Sequence, residues 1–224
     1  MKRQRNPAPA SAASPLPDCA HFARSIRATG SRVEWRRAAL ILDRDGVINV
    51  DHGYVHRADQ FELVAGILEL TRFWAHELAA PIVVVSNQSG IGRGYFDERA
   101  YADLTHFMHE RFAADGVSIA RVYHCPYHPE HGIGRYRAEH PWRKPNPGMI
   151  LEAAKDLDLD LANSVMIGDQ ESDMAAAAAA GVGLRILLRD AGDRPATSAA
   201  HRTVTDLTQA LAILRVQFQA PAGV

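Results

Sequence analysis

Cysteine is scarce in this chain: Cys19 and Cys125 are the only two among 224 residues. Two thiols cannot build a disulfide framework, and their scarcity predicts a reducing, cytoplasmic setting. Long apolar runs are also missing. No stretch approaches the ~18 apolar residues that a membrane-spanning helix needs, so no membrane partner is expected. There is no excess of charge of one sign either. The formal net charge of −1 predicts no nucleic-acid partner, since dedicated binders carry a basic surplus. The charge is nevertheless uneven, with eight Lys/Arg against two Asp/Glu in residues 1–37 and seventeen against twenty-four in the remainder. Residues 1–37 are rich in Ala, Ser, Pro and Arg, a composition that overlaps with organelle transit peptides. They lack an apolar signal core, and we read them as a disordered basic arm.

From residue 38 onward, apolar runs alternate with helical patterns. The strand candidates are 38–42 (AALIL), 81–85 (PIVVV), 119–123 (IARVY), 164–167 (SVMI) and 184–188 (LRILL). Their continuous apolar character suits strands covered on both faces. Helical spacing marks 67–78, 97–114, 147–157, 173–180 and 205–217, with Ile67, Leu70, Trp74, Tyr101, Leu104, Met108 and Phe112 as core positions. The prediction is an α/β fold over 38–224, a Rossmann-like parallel sheet with helices on both faces. Only forty residues separate Asp45 from Ser86, which leaves no room for a large cap domain there. Segment 125–145 has no period and carries four prolines and seven cationic or imidazole side chains, the mark of a long functional loop.

Three polar clusters follow predicted strands: Asp43-Arg44-Asp45-Gly46, Ser86-Asn87-Gln88-Ser89-Gly90 and Gly168-Asp169. A single DxD could be no more than a turn or a helix cap. Three clusters at the carboxyl ends of strands mark the edge where open α/β sheets bind ligands. Two carboxylates two residues apart can divide the roles of nucleophile and general acid/base. A carboxylate that attacks phosphorus forms an acyl-phosphate, which water then cleaves. Mg²⁺ held by Asp43, by Asp45 through its backbone carbonyl, and by Asp169 would neutralise the phosphate. Ser86 and Asn87, with Gln88 and Ser89 beside them, can bind phosphoryl oxygens, and Lys144 adds positive charge.

The ordered set LDRDG, VVSNQSG, RKP and IGDQESD resembles the four motifs of the haloacid dehalogenase-type phosphatases, over roughly 150 positions from 38 to 188. The resemblance implies that Asp43 is the nucleophile, Asp45 the acid/base, Ser86 a phosphate donor, Lys144 the motif-three lysine and Asp169 a metal ligand. Asp173 would stand behind the metal ligands or cap a helix. INVDHGYV, NQSGIGRGYF and RKPNPGM further resemble the branch of that family acting on heptose bisphosphates, with histidinol-phosphate phosphatases as close relatives. In that branch the loop matching Asp51, His52, Gly53 and Tyr54 touches the sugar, and the arginine matching Arg143 holds a second phosphate. A sugar bisphosphate is therefore the expected partner, acted on by a monomer. Histidinol phosphate, a phosphorylated nucleic-acid end, or a binding role without chemistry stay open as alternatives, although the intact Asp43, Asp45, Lys144 and Asp169 speak against the last. The branch usually has a zinc loop of the form CxH…CxC. Here Cys125 is kept, but Tyr127, His140 and Trp142 replace the other ligands, and Trp cannot bind zinc. A metal-free loop is expected, with Cys125, His128, His131 and His140 as the alternative zinc set. Gln170 also stands where the heptose enzymes often have lysine.

Overall fold

The computed structural model of the chain describes residues 37–189 and 197–218. The predicted basic arm, with Cys19, lies outside them apart from Arg37. Six strands pair in parallel: β1 (Leu40–Leu42), β2 (Ile82–Asn87), β3 (Arg121–Cys125), β4 (Val165–Gly168), β5 (Leu184–Leu188) and β6 (Arg202–Val204). Their order is β3-β2-β1-β4-β5-β6. The chain builds outward from β1 in one direction and then, starting with β4, in the other. The order therefore reverses at β1, and a crevice opens at the carboxyl ends of β1 and its neighbours.

Successive side chains on a strand point to opposite faces, and both faces here are apolar. Leu40, Leu42, Ile82, Val84, Val165 and Ile167 enter one core, together with Ile67, Leu70, Met108, Phe112 and Leu214 from the helices. Ile41, Val83, Val85 and Met166 enter the other, against Met149, Ile150, Ala153, Met174 and Ala177. The helices are α1 (Ile67–Arg72), α2 (Ser89–Gly92), α3 (Glu98–Ala114), α4 (Gly148–Leu157), α5 (Glu171–Ala180) and α6 (Leu207–Phe218). This is the Rossmann-like α/β architecture that the sequence predicts. Between β1 and β2 lie only α1 with its extension and a short 3₁₀ turn, Ala58–Gln60, so no cap is inserted there. Among the described residues, no helix is long and apolar enough to cross a membrane.

Several boundaries differ from expectation. The helix predicted over 67–78 is α helical only to Arg72 and continues as a π turn, Phe73–Glu77. Pro147 stands at the N-cap of α4 rather than inside its first turn. Helix α5 starts before Asp173, with Gln170 as its N-cap, so Asp173 occupies the third helical position and is not the cap. Asp97 caps α3, accepting a hydrogen bond from the Ala100 N–H at 2.8 Å. The edge strand β6 and the single turn α2 are absent from the sequence prediction.

The π turn carries Trp74 into the core, fully buried and edge-on to Phe218 of α6 at 5.0 Å. Its indole N–H donates to the Pro81 carbonyl at 3.2 Å, tying the helix to the entry of β2. Trp74→Ala removes both contacts and leaves a cavity. It is expected to lower the unfolding free energy measured in urea by about 3–5 kcal/mol. A loss below about 1 kcal/mol would show that this seam collapses around the gap.

Candidate active site

The carboxyl edge of the sheet gathers the site. Asp43 follows β1, Ser86 and Asn87 end β2, Asp169 follows β4, and Asp173 projects from the first turn of α5. The backbone turns sharply after Asp45, where the Gly46 N–H donates to the Asn49 carbonyl at 2.7 Å. Gly46 has φ +86, and a Cβ there would lie 2.6 Å from an Asp169 carboxylate oxygen. Only glycine satisfies both the left-handed conformation and the close approach.

Lys144 reaches into this edge from the long loop before α4 and is buried. Its ammonium lies 2.9 Å from Asp43 Oδ1 and 2.6 Å from Asp173 Oδ1, and it donates to the Val85 carbonyl at 2.8 Å. An ammonium has three N–H donors, and three oxygens meet them. Burial pulls the Lys144 pKa down, but Asp173 and Asp43 outweigh it and hold the side chain above the usual lysine range. Burial pushes the Asp43 carboxyl well up; Lys144 opposes this, while Asp173 and Asp169 add to it. Asp169 is pushed up to about 6, first by burial and then by Asp173.

Oxygens of Asp43, Asp169 and Asp173 come within 4.8 Å of one another, and Asp169 Oδ1 is buried without a hydrogen-bond partner. Hard oxygen donors crowded in this way fit Mg²⁺. Asp45 contributes no carboxylate to the cluster. Its carboxylate is held elsewhere. Arg44, fully buried, grips it with Nη2 at 2.9 Å from both oxygens, while Asn49 and Gln88 donate to it at 3.0 and 2.8 Å. Gln88 also donates to Ser86 Oγ at 2.9 Å, linking the hydroxyl to the second carboxylate.

A cavity of about 390 Å³ takes in every predicted site residue except His52 and Arg143. Asp51 folds back to accept from the Gly53 N–H at 2.8 Å, which presents Gly53 and Tyr54 to the cavity. His52 is not part of the cavity lining, and its Nε2 lies 3.2 Å from the Glu62 carboxylate. Arg143 lies outside the cavity wall and donates to the Tyr127 carbonyl at 3.1 Å. Asn87 lines the cavity, but its amide accepts from the Lys144 N–H at 3.0 Å and donates to the Lys144 carbonyl at 3.1 Å. It positions the lysine and keeps its second amide N–H uncommitted beside the cavity. Sequence reasoning missed Arg44 as Asp45's support and Asp173 as a member of the carboxylate cluster. The signal for Arg44 was present, since an arginine flanked by two aspartates at a strand end has close partners for its charge.

The alternative zinc residues do not gather. His140 Nδ1 accepts from the Trp142 N–H at 3.1 Å, and its ring stacks on Tyr127 at 4.3 Å. His128 Nδ1 accepts from the N–H groups of Glu130 and His131, both at 3.2 Å. Cys125 is buried at the end of β3 with its thiol pKa raised by burial.

A parallel sheet with a carboxylate just past β1, a hydroxyl at the end of β2 and a lysine bridging two aspartates fits a phosphate-ester hydrolase. A family model described as HAD-hydrolase-like matches residues 141–211. The chain is 51% identical over 153 residues to a protein of Vibrio cholerae named D-glycero-beta-D-manno-heptose-1,7-bisphosphate 7-phosphatase, spanning 68% of this chain and 82% of that one. It is 52% identical over 166 residues to the alpha-anomer counterpart of Burkholderia mallei, spanning 73% and 87%. Among solved structures, a HAD-like phosphatase of Mesorhizobium loti superimposes with TM-score 0.72 at 37% identity, covering 82% of this chain and 88% of that one. The D,D-heptose 1,7-bisphosphate phosphatase of B. bronchiseptica, complexed with magnesium and phosphate, gives 0.66 at 30% identity, covering 79% and 97%. The chain belongs to the haloacid dehalogenase-like hydrolase family. It is a phosphatase of that family with magnesium as its cofactor.

The raised Asp169 carboxyl sets a pH dependence. With a folded pKa of about 6 against an ordinary 3.8, the group favours the folded state below about pH 4. That contribution is lost as the pH rises through 6. In metal-free buffer, Asp169→Asn is therefore expected to gain Tm relative to the unaltered protein between pH 4 and 6. The gain should be on the order of 1–3 kcal/mol above pH 6. Added Mg²⁺ should raise the Tm of the unaltered protein and leave the variant unmoved. A Tm difference that stays flat with pH, or a variant that still responds to Mg²⁺, would contradict the assignment.

Proposed function

We propose that this chain removes the 7-phosphate from a D-glycero-D-manno-heptose 1,7-bisphosphate. The reading is carried by a buried Asp43–Lys144–Asp173 bridge at the sheet edge, in a chain about half identical to phosphatases named for that substrate. A carboxylate oxygen of Asp43 attacks the phosphorus, and the bond from phosphorus to the sugar oxygen breaks. Asp45, fixed by Arg44 and Gln88, gives that oxygen its proton. An acyl-phosphate on Asp43 results. Asp45 then takes a proton from water, whose oxygen attacks the phosphorus. The bond to Asp43 breaks, and inorganic phosphate leaves. Lys144 sits against Asp43 throughout, offsetting charge as it builds on the phosphoryl oxygens. Magnesium held by Asp43 and Asp169, with Asp173 beside them, supplies the remaining positive charge.

Gly53 and Tyr54 offer a face for the sugar at the mouth of the cavity. Arg143, half buried with most of its donors uncommitted, receives the phosphate that is not cleaved. The free thiol of Cys125 suits a cytoplasmic enzyme.

Asp43→Asn is expected to cut kcat by at least about a thousandfold, because an amide cannot carry the phosphoryl group. Substantial residual turnover in that variant, measured by phosphate release, would end the covalent mechanism. Arg143→Ala tests the substrate. The ratio of kcat/KM for the heptose bisphosphate to that for a small aryl monophosphate should fall by roughly ten- to a hundredfold. Equal losses on both substrates would place Arg143 in folding or in the common machinery and remove the bisphosphate reading.

A further inference from the structure

A second guanidinium stands near Arg143. Arg93 ends α2, its backbone N–H donating to the Ser89 carbonyl at 2.9 Å. Its guanidinium lies 5.9 Å from the centroid of the Tyr54 ring, and Tyr54 lines the cavity. That distance is near the outer limit of a cation–π contact, about 6 Å. Arg93 Nε is buried and has no hydrogen-bond partner. Among the described residues, no carboxylate forms an ion pair with Arg93, whereas the buried Arg44 is paired with Asp45.

The approach of Arg93 to Arg143 is built into the backbone. The Ile133 N–H donates to the Gly92 carbonyl at 2.7 Å, and a Cβ on Gly92 would lie 2.1 Å from the Pro126 carbonyl oxygen. The end of α2 is thus pressed against the long loop, whose Tyr127 carbonyl accepts from Arg143. The two charges feel each other: burial and then Arg93 hold the Arg143 pKa down, against an opposing contribution from Cys125. His128 joins them, its pKa lowered by burial and then by Arg143 and Arg93. Arg93 at the end of α2 and two basic side chains of the long loop therefore stand close enough to repel one another, with Glu130 and Glu139 opposing part of that repulsion. A shared anion would offset the rest.

We propose that Arg93 is a specificity-determining residue that clamps, together with Arg143, the phosphate of the substrate that is not hydrolysed. Tyr54, which lines the cavity, has its ring beside the Arg93 guanidinium and so links this pair to the reacting centre. Two guanidinium forks can share the oxygens of one dianionic phosphate, and the uncommitted Nε–H is one of the donors that such an anion would take. The inference rests on the bisphosphate reading above and adds a residue that the sequence motifs left without a role.

The test compares kcat/KM for heptose 1,7-bisphosphate and heptose 7-monophosphate in the unaltered enzyme, Arg93→Gln and Arg93→Lys. The unaltered enzyme should prefer the bisphosphate. Arg93→Gln should reduce that preference by roughly ten- to a hundredfold. Arg93→Lys, which keeps the charge and loses the fork, should stay nearer the unaltered value. No preference in the unaltered enzyme would overturn the substrate reading and this inference together. A preference that survives Arg93→Gln would overturn this inference alone, as would equal losses in the Gln and Lys variants, which would point to packing on Tyr54.

Discussion

A lysine buried between two aspartates is the constraint on which the rest of this site depends. An ammonium taken out of water costs several kcal/mol unless its charge and all three donors are met. Asp43, Asp173 and the Val85 carbonyl meet them, and each comes from a different part of the chain. The lysine therefore fixes the end of β1, the end of β2 and the start of α5 relative to one another. It also sets the charge of the centre. One ammonium among Asp43, Asp169 and Asp173 leaves an excess of negative charge, which a divalent cation offsets before a phosphate dianion can approach. Asn87 completes the arrangement by holding the lysine's backbone on both sides of its Cα.

How much of this was legible in the sequence follows from what each element depends on. Strands β1, β2, β4 and β5 could be read because they are buried on both faces and are mostly apolar, Arg185 being the one charge within β5. Strand β6 could not: it is three residues at the sheet edge, only Val204 of which is buried. The π turn after Arg72 was equally hidden, because the same apolar spacing serves an α or a π register over one turn. At the site, residue types at strand ends pointed to Asp43, Asp45, Ser86, Lys144 and Asp169. Side-chain direction was beyond the sequence. His52 lies beside Glu62, and Asn87 pairs its amide with the Lys144 backbone, because each finds a partner contributed by a distant segment. Asp173 was read as either a cap or a supporting residue. It accepts from the Gln170 N–H at 3.0 Å with one oxygen and meets Lys144 with the other, so it supports both the helix start and the lysine.

The loop before Lys144 shows one way of ordering a long irregular segment. In it, rings pack against rings. Tyr127 stacks on His140 at 4.3 Å and meets Tyr136 edge-on at 5.5 Å, and Trp142 meets Tyr123 of β3 at 5.9 Å. Aromatic pairs of this kind contribute about 0.5–1.5 kcal/mol each beyond the area they bury. They help to hold the segment that delivers Arg143 and Lys144.

The strand order has a consequence for synthesis. Strand β1 leaves the ribosome first, yet it lies at the centre of the finished sheet, between β2 and β4. Its second neighbour, Val165–Gly168, is made more than a hundred residues later. Until then one edge of Leu40–Leu42 has no partner, and the carboxylate that follows it lacks its companion aspartates, Asp169 and Asp173. A nascent chain of this protein stays exposed to wrong pairing through most of its translation. It becomes an enzyme only near the end, in the same event that closes the middle of its sheet.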